Sequence, residues 1–172
     1  MVLNCQKRFL AGALVALLSC AAVAQNRVDF SLHSIDGQTV TSASLRGEVV
    51  VLAFGASWLP LSKAQLQGVR KLADEYSNKG VVVYWVSTES DNEKSKNYAT
   101  DQQLKAFSQK YGLNVTVLRD PDGVVSKKFG VDQLPSIVIL DKEGNPSGTP
   151  IGGLDPTGNL AAQLAPRLDK LL

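Results

Sequence analysis

The chain has 172 residues, with 18 Lys and Arg against 16 Asp and Glu, a net charge of +2, one His and two Cys. Near-balanced charges of both signs argue against nucleic acid or an anionic membrane surface as an obligate partner. The single histidine, His33, excludes a His-rich metal cage, and the length suits one domain with a single packed core.

The first stretch reads as an export signal. Lys7 and Arg8 precede an uninterrupted apolar run from Phe9 to Leu18, which is too short to cross a bilayer as a stop-transfer helix. Ala22-Val23-Ala24 before Gln25 fits cleavage to a soluble exported protein, making 1–24 the signal peptide and 25–172 the folded domain. Leu17-Leu18-Ser19-Cys20 resembles a bacterial lipobox, in which 1–19 would be removed and Cys20 lipidated. Soluble export is favoured, because Leu18 stands where a smaller residue is usual. On either reading the mature protein keeps no free thiol: Cys5 is removed, and Cys20 is removed or acylated.

Alternation from Val28 to Leu45 across Asp36-Gly37 predicts a short hairpin. Ser42 to Arg46 then predicts one helical turn closed by Gly47. His33 reads as a surface strand residue, since no second His or nearby Cys could share a ligand with it. Val49 to Phe54 is a continuous apolar run rich in β-branched residues, the pattern of a strand buried on both faces. Past Gly-Ala-Ser-Trp a helix opens with Pro60 in its first turn, where a missing N–H costs nothing. Its apolar face is Leu66, Val69, Leu72, Ala73 and Tyr76, and it ends near Lys79-Gly80. A strand, tight loop and helix N-terminus in this order favour an anion at the junction.

Val81 to Ser87 predicts a second buried strand, with Trp85 in the core. Thr88 to Thr100 is polar and without periodicity, and reads as a solvated loop. Its acidic residues Glu89, Asp91 and Glu93 lack the glycine and closing Glu of a calcium loop, and Lys94 and Lys96 intrude. Asp101 is the expected cap of a helix reaching about Tyr111, with Leu104, Phe107 and Tyr111 on its apolar face. Val115 to Leu118 is a short strand. Asp120-Pro121-Asp122-Gly123 is turn chemistry rather than a carboxylate dyad. A short helix from Val124 to Phe129 follows, closed by Gly130. Pro135 directly precedes a buried strand from Ser136 to Asp141, an allowed place for proline. Lys142 to Pro146 predicts a hairpin turn, and Thr149 to Gly152 the return strand. Leu160, Leu164, Leu168 and Leu171 have the spacing of a core-facing helix, in which Pro166 predicts a kink or a break. The order of elements implies an α/β domain with a partly parallel sheet covered on both faces.

Two segments carry a family resemblance. The run from Val49 to Gln65 resembles the active-site segment of the exported TlpA/ResA-like redoxins of AhpC/TSA type. In those thiol–disulfide oxidoreductases a buried strand leads into Trp-Cys-x-x-Cys, then a basic residue and a Glu. Phe54, Ala56, Trp58, Pro60 and Lys63 keep that frame, while Leu59 and Ser62 stand at the cysteine positions and Gln65 at the Glu position. Gly130 to Asp141 resembles the cis-proline segment that faces the cysteine motif and pairs with an extended substrate. The resemblance spans essentially the whole mature chain. It implies a thioredoxin-like α/β fold, with a central mixed sheet flanked by helices and an N-terminal β-hairpin.

The activity implied by the family is thiol–disulfide exchange, in which a thiolate attacks a disulfide. Leu59 offers no nucleophile, Ser62 cannot form a disulfide, and Gln65 cannot move a proton. The expectation is therefore a redox-inactive protein of the periplasm or cell envelope with no catalytic residue, cofactor or metal. Its partner would be an envelope protein or extended peptide, bound by Trp58, Leu59, Pro60, Leu61, Leu134 and Pro135. Membrane contact would come only through the signal peptide or a lipid on Cys20. Two alternatives stand beside this: a thiol–disulfide role in which a partner supplies the cysteines, and a structural subunit of an envelope complex.

Overall fold

A computed structural model describes residues 27–153, 155 and 158–172. The signal-peptide and lipobox readings, with Cys5 and Cys20, lie outside these residues. In chain order the strands are β1 (Ser31–Ser34), β2 (Thr39–Thr41), β3 (Val49–Gly55), β4 (Val81–Ser87), β5 (Thr116–Arg119), β6 (Ser136–Leu140) and β7 (Ile151–Gly152). The helices are α1 (Pro60–Tyr76), α2 (Asp101–Lys110), α3 (Val124–Lys128) and α4 (Leu160–Leu168).

β3 is buried at all seven positions, as its unbroken apolar run requires. It pairs in parallel with β4 and antiparallel with β6, and β4 pairs in parallel with β5. The β1–β2 hairpin adds antiparallel to β5, and β7 to β6, giving one sheet in the order β2-β1-β5-β4-β3-β6-β7. The sheet is mixed.

Side chains alternate across a strand, so β3 feeds two cores. Val49, Val51 and Ala53 join Leu66, Val69 and Leu72 of α1, Leu104 of α2, and Leu160 and Leu164 of α4. Val50, Leu52 and Phe54 join Phe30 and Leu32, with Val125 and Phe129 at α3. Phe30 and Phe129 close the second core edge to face, 5.7 Å apart. Trp85 is fully buried in the first, 5.5 Å from Phe107.

The structure corrects several expectations. Thr100, not Asp101, caps α2: its hydroxyl accepts from the Gln103 N–H while the Gln103 side chain accepts from the Thr100 N–H. That reciprocal box satisfies two free N–H groups at once, which a lone Asp cap does not. No break occurs at Pro166, because α4 is continuous from Leu160 to Leu168 and buries Leu160, Ala161, Leu164 and Leu168. One missing N–H near the end of a well-packed helix does not outweigh that burial. The segment from Ser42 to Arg46 forms hydrogen-bonded turns rather than a helix, and β7 starts at Ile151 rather than Thr149. His33 is exposed on β1, its Nδ1 3.0 Å from the Thr39 hydroxyl.

α1 and α4 meet at Gly68, where an added Cβ would lie 2.9 Å from the Leu160 Cβ. Gly68→Ala raises helix propensity by about 1 kcal/mol, yet Leu160 has no flexible end to move aside. We expect Gly68→Ala to lower stability in urea unfolding by about 1–3 kcal/mol through overpacking. A gain in stability would show that the two helices separate at little cost.

Candidate functional site

The site grows from the end of β3. Phe54 pairs with Ser136, a register that brings Gly55 beside Pro135 where the two strands leave the sheet. The Leu134–Pro135 peptide is cis, and both residues are half-buried. Between β3 and α1 runs the loop Ala56-Ser57-Trp58-Leu59. Leu59 is the N-cap position of α1, with no side-chain cap, and Pro60 is the first helical residue.

Ser62 lies in the first turn of α1 and is fully buried, its Oγ accepting from the Ala56 N–H at 3.1 Å. A side chain on Gly55 would lie 3.0 Å from both the Ser62 Oγ and the Trp85 Nε1, so only glycine fits beneath this turn. Gln65 is buried one turn further on, and its Oε1 has no hydrogen-bond donor.

The segment from Thr88 to Thr100 supports this loop. Glu89 is buried, and its carboxylate accepts from the Ser57 N–H at 2.7 Å and from the Ser87 hydroxyl. Asn97 accepts from the Trp58 indole N–H through Oδ1 and donates through Nδ2 to the Thr88 carbonyl at 2.9 Å. Arg119, at the end of β5, holds the segment in turn. It donates to the carbonyls of Glu89, Ser90 and Ala99 and to the Asp101 carboxylate. The expected solvated loop is instead a buttress, because three of its backbone carbonyls accept from the buried Arg119 Nη2.

The structure thus gathers Trp58, Leu59, Pro60 and Leu61 at one helix entrance, with Leu134 and Pro135 on the adjoining strand end. Trp58 and Leu61 are 58% and 53% exposed, whereas Leu59 is half-buried. Glu89, Asn97 and Arg119 escaped the sequence reading, since each acts on a partner about 20 to 40 positions away. Asp120 was read only as a turn residue. Its buried carboxylate also accepts from the Val125 and Ser126 N–H groups at the start of α3. Among the described residues no group of three or more His, Cys, Asp or Glu could hold a metal, and no helix is long and apolar enough to cross a membrane.

Comparison with known proteins places these features. The model of the AhpC/TSA family matches residues 23–145. Thioredoxin-like protein YneN of Bacillus subtilis is 31% identical over 120 residues, 70% of this chain and 66% of its own length. The thiol-disulfide oxidoreductase ResA of Halalkalibacterium halodurans is 24% identical over 136 residues, 79% of this chain and 72% of ResA. The chain spans just under two thirds of the length of the first curated relatives it matches. A secreted Mycobacterium tuberculosis disulfide oxidoreductase, of solved structure, superposes with a TM-score of 0.63 at 26% identity. That match covers 83% of this chain and 96% of the other, and it shares the thioredoxin-like fold.

Removing the Arg119 guanidinium leaves the Glu89 and Ala99 carbonyls without a donor, while Ser90 keeps the Ala99 N–H; removing the Asp101 charge touches a half-exposed partner. Arg119→Met should therefore cost about 3 kcal/mol in urea unfolding, and Asp101→Asn less than about 1 kcal/mol. Equal, small losses would show that the buttress contributes little.

Proposed function

The chain belongs to the AhpC/TSA family, within the thioredoxin-like thiol–disulfide oxidoreductases, and on that premise we propose that it is an exported peptide-binding redoxin without disulfide-exchange activity. The observation that carries this reading is the pair Trp58 and Leu61, large apolar side chains exposed side by side at the entrance of α1. Trp58 is held by Asn97 while its ring faces solvent, so the surface is preorganised rather than loose. Clustered exposed apolar side chains, an aromatic among them, are the usual mark of a contact site. An extended segment can pair with the backbone at Leu134 and Pro135 while its side chains rest on Trp58, Leu59, Pro60 and Leu61.

The chemistry at the same place supports loss of exchange. Disulfide exchange needs a thiolate, and residues 21–172 contain no cysteine. Leu59 has no ionisable group, and the Ser62 hydroxyl is taken up as an acceptor for Ala56. At Gln65 a carboxylate would be buried with no donor beside it, a costly state that the neutral amide lessens. The secreted relative of solved structure supports an exported location.

Three experiments test this reading. The purified mature protein, residues 25–172, should show no titratable thiol and no insulin reduction above the uncatalysed rate. The double variant Leu59→Cys, Ser62→Cys should form a reducible disulfide under mild oxidation, since the scaffold spaces the two positions for one. Turnover by the unmodified protein, or free thiols persisting in the double variant, would defeat the reading of this segment. Binding is tested with fluorescent extended peptides rich in apolar residues, read by anisotropy. Leu61→Glu should weaken binding about tenfold or more, a change of at least about 1.4 kcal/mol, with little change in melting temperature. Unchanged binding would remove Leu61 from the contact surface.

A further inference from the structure

Between α1, the end of α2 and the segment that leads into α4 runs a groove of about 530 Å³. Lys63, Gln67, Gly68 and Lys71 of α1 line it, with Lys110 and Tyr111 at the end of α2. Among the described residues the lining holds three ammonium groups and no carboxylate, and the Asp155 carboxylate lies beside Gly158 at one end of the groove. None of the three makes an ion pair among the described residues. Lys63 stands in the first turn of α1, a turn without any acidic residue, where the helix dipole disfavours a cation. Gathering like charges around one groove is unfavourable, and an anionic occupant relieves it.

We propose that this groove binds acidic side chains of an extended polypeptide, the continuation of the segment that rests on Trp58 and Leu61. The proposal rests on the reading of that rim as a peptide site. Leu61 and Lys63 share the first turn of α1 on different faces, so a bound segment passes from the rim to the groove around the helix entrance. Spacing supports the proposal. Lys63 and Lys71 are eight residues apart on one helix, about 12 Å along its axis. Side chains four residues apart on an extended chain share a face and lie about 13 Å apart. Carboxylates at such positions match both lysines at once, while Lys110 and Tyr111 line the opposite wall. A compact anion engages the three ammonium groups less completely.

The test uses the purified protein and an octapeptide of alternating Ser and Glu, followed by amide chemical shifts. The expected result is shifts centred on Ala64, Gly68 and Lys71, weakening as added salt screens the charges. Lys71→Glu with Lys110→Glu should weaken this binding at least tenfold, leaving the melting temperature and the capture of neutral apolar peptides unchanged. The proposal is overturned if the octapeptide produces no shifts in the groove, or if the charge-reversed protein binds it equally well. It is also overturned if inorganic phosphate or phosphatidylglycerol vesicles bind the groove and the octapeptide does not. The two readings separate cleanly. Rim binding of apolar peptides without groove shifts sinks this proposal alone, whereas groove shifts without rim binding sink both readings and leave only an isolated anion site.

Discussion

The buried guanidinium of Arg119 is the constraint on which the site geometry depends. A cation in that position needs acceptors for its donors: Nη1 and Nη2 find four, while Nε has none among the described residues. The chain answers by wrapping the segment 88–100 around it, so that the carbonyls of Glu89, Ser90 and Ala99 point inward. That wrapping carries the Glu89 carboxylate beneath the Ser57 N–H and places Asn97 against the Trp58 indole. The loop joining β3 to α1 is thus set from below by a residue on β5. Its exposed apolar tip keeps one geometry because a polar network of large sequence separation fixes its base.

Within that frame, the proposed reading sets Leu59, Ser62 and Gln65 at the positions that carry redox chemistry in the family. Ser62 turns its hydroxyl to the Ala56 backbone, Gln65 removes a buried charge, and Leu59 adds apolar area at the cap of α1. On that reading, each of these residues suits a static, apolar contact surface better than it suits disulfide exchange. The strand entrance at Leu134 and Pro135 remains beside it through the pairing of β3 with β6. A folded frame with its reactive atoms exchanged for packing atoms is coherent as a binding module.

Much of the fold was legible in the sequence, because burial writes itself as periodicity. The apolar run of β3, the spacing of Leu66, Val69 and Leu72, and the glycines at turns are local signals. The central pair of exposed residues, Trp58 and Leu61, could also be placed from the motif. Glu89 and Arg119 could not, since a buried charge has no local pattern and depends on partners brought together by the fold. Thr100 with Gln103 was a different miss: the Thr-x-x-Gln signature was present, and the neighbouring Asp101 drew the assignment away from it. At Pro166 the alternative of a break fails, because a local rule for proline carries no knowledge of how firmly α4 is packed.

The central claim is that an extended peptide lies on the entrance of α1 against the strand end at Pro135. It is tested most directly by intermolecular nuclear Overhauser contacts between a bound apolar peptide and the isotope-labelled protein. The account predicts contacts from the peptide to the Trp58 ring and the Leu61 methyls, with peptide amide protons close to the backbone of Leu134. Contacts elsewhere on the surface, with the Trp58 and Leu61 signals unmoved, would contradict it.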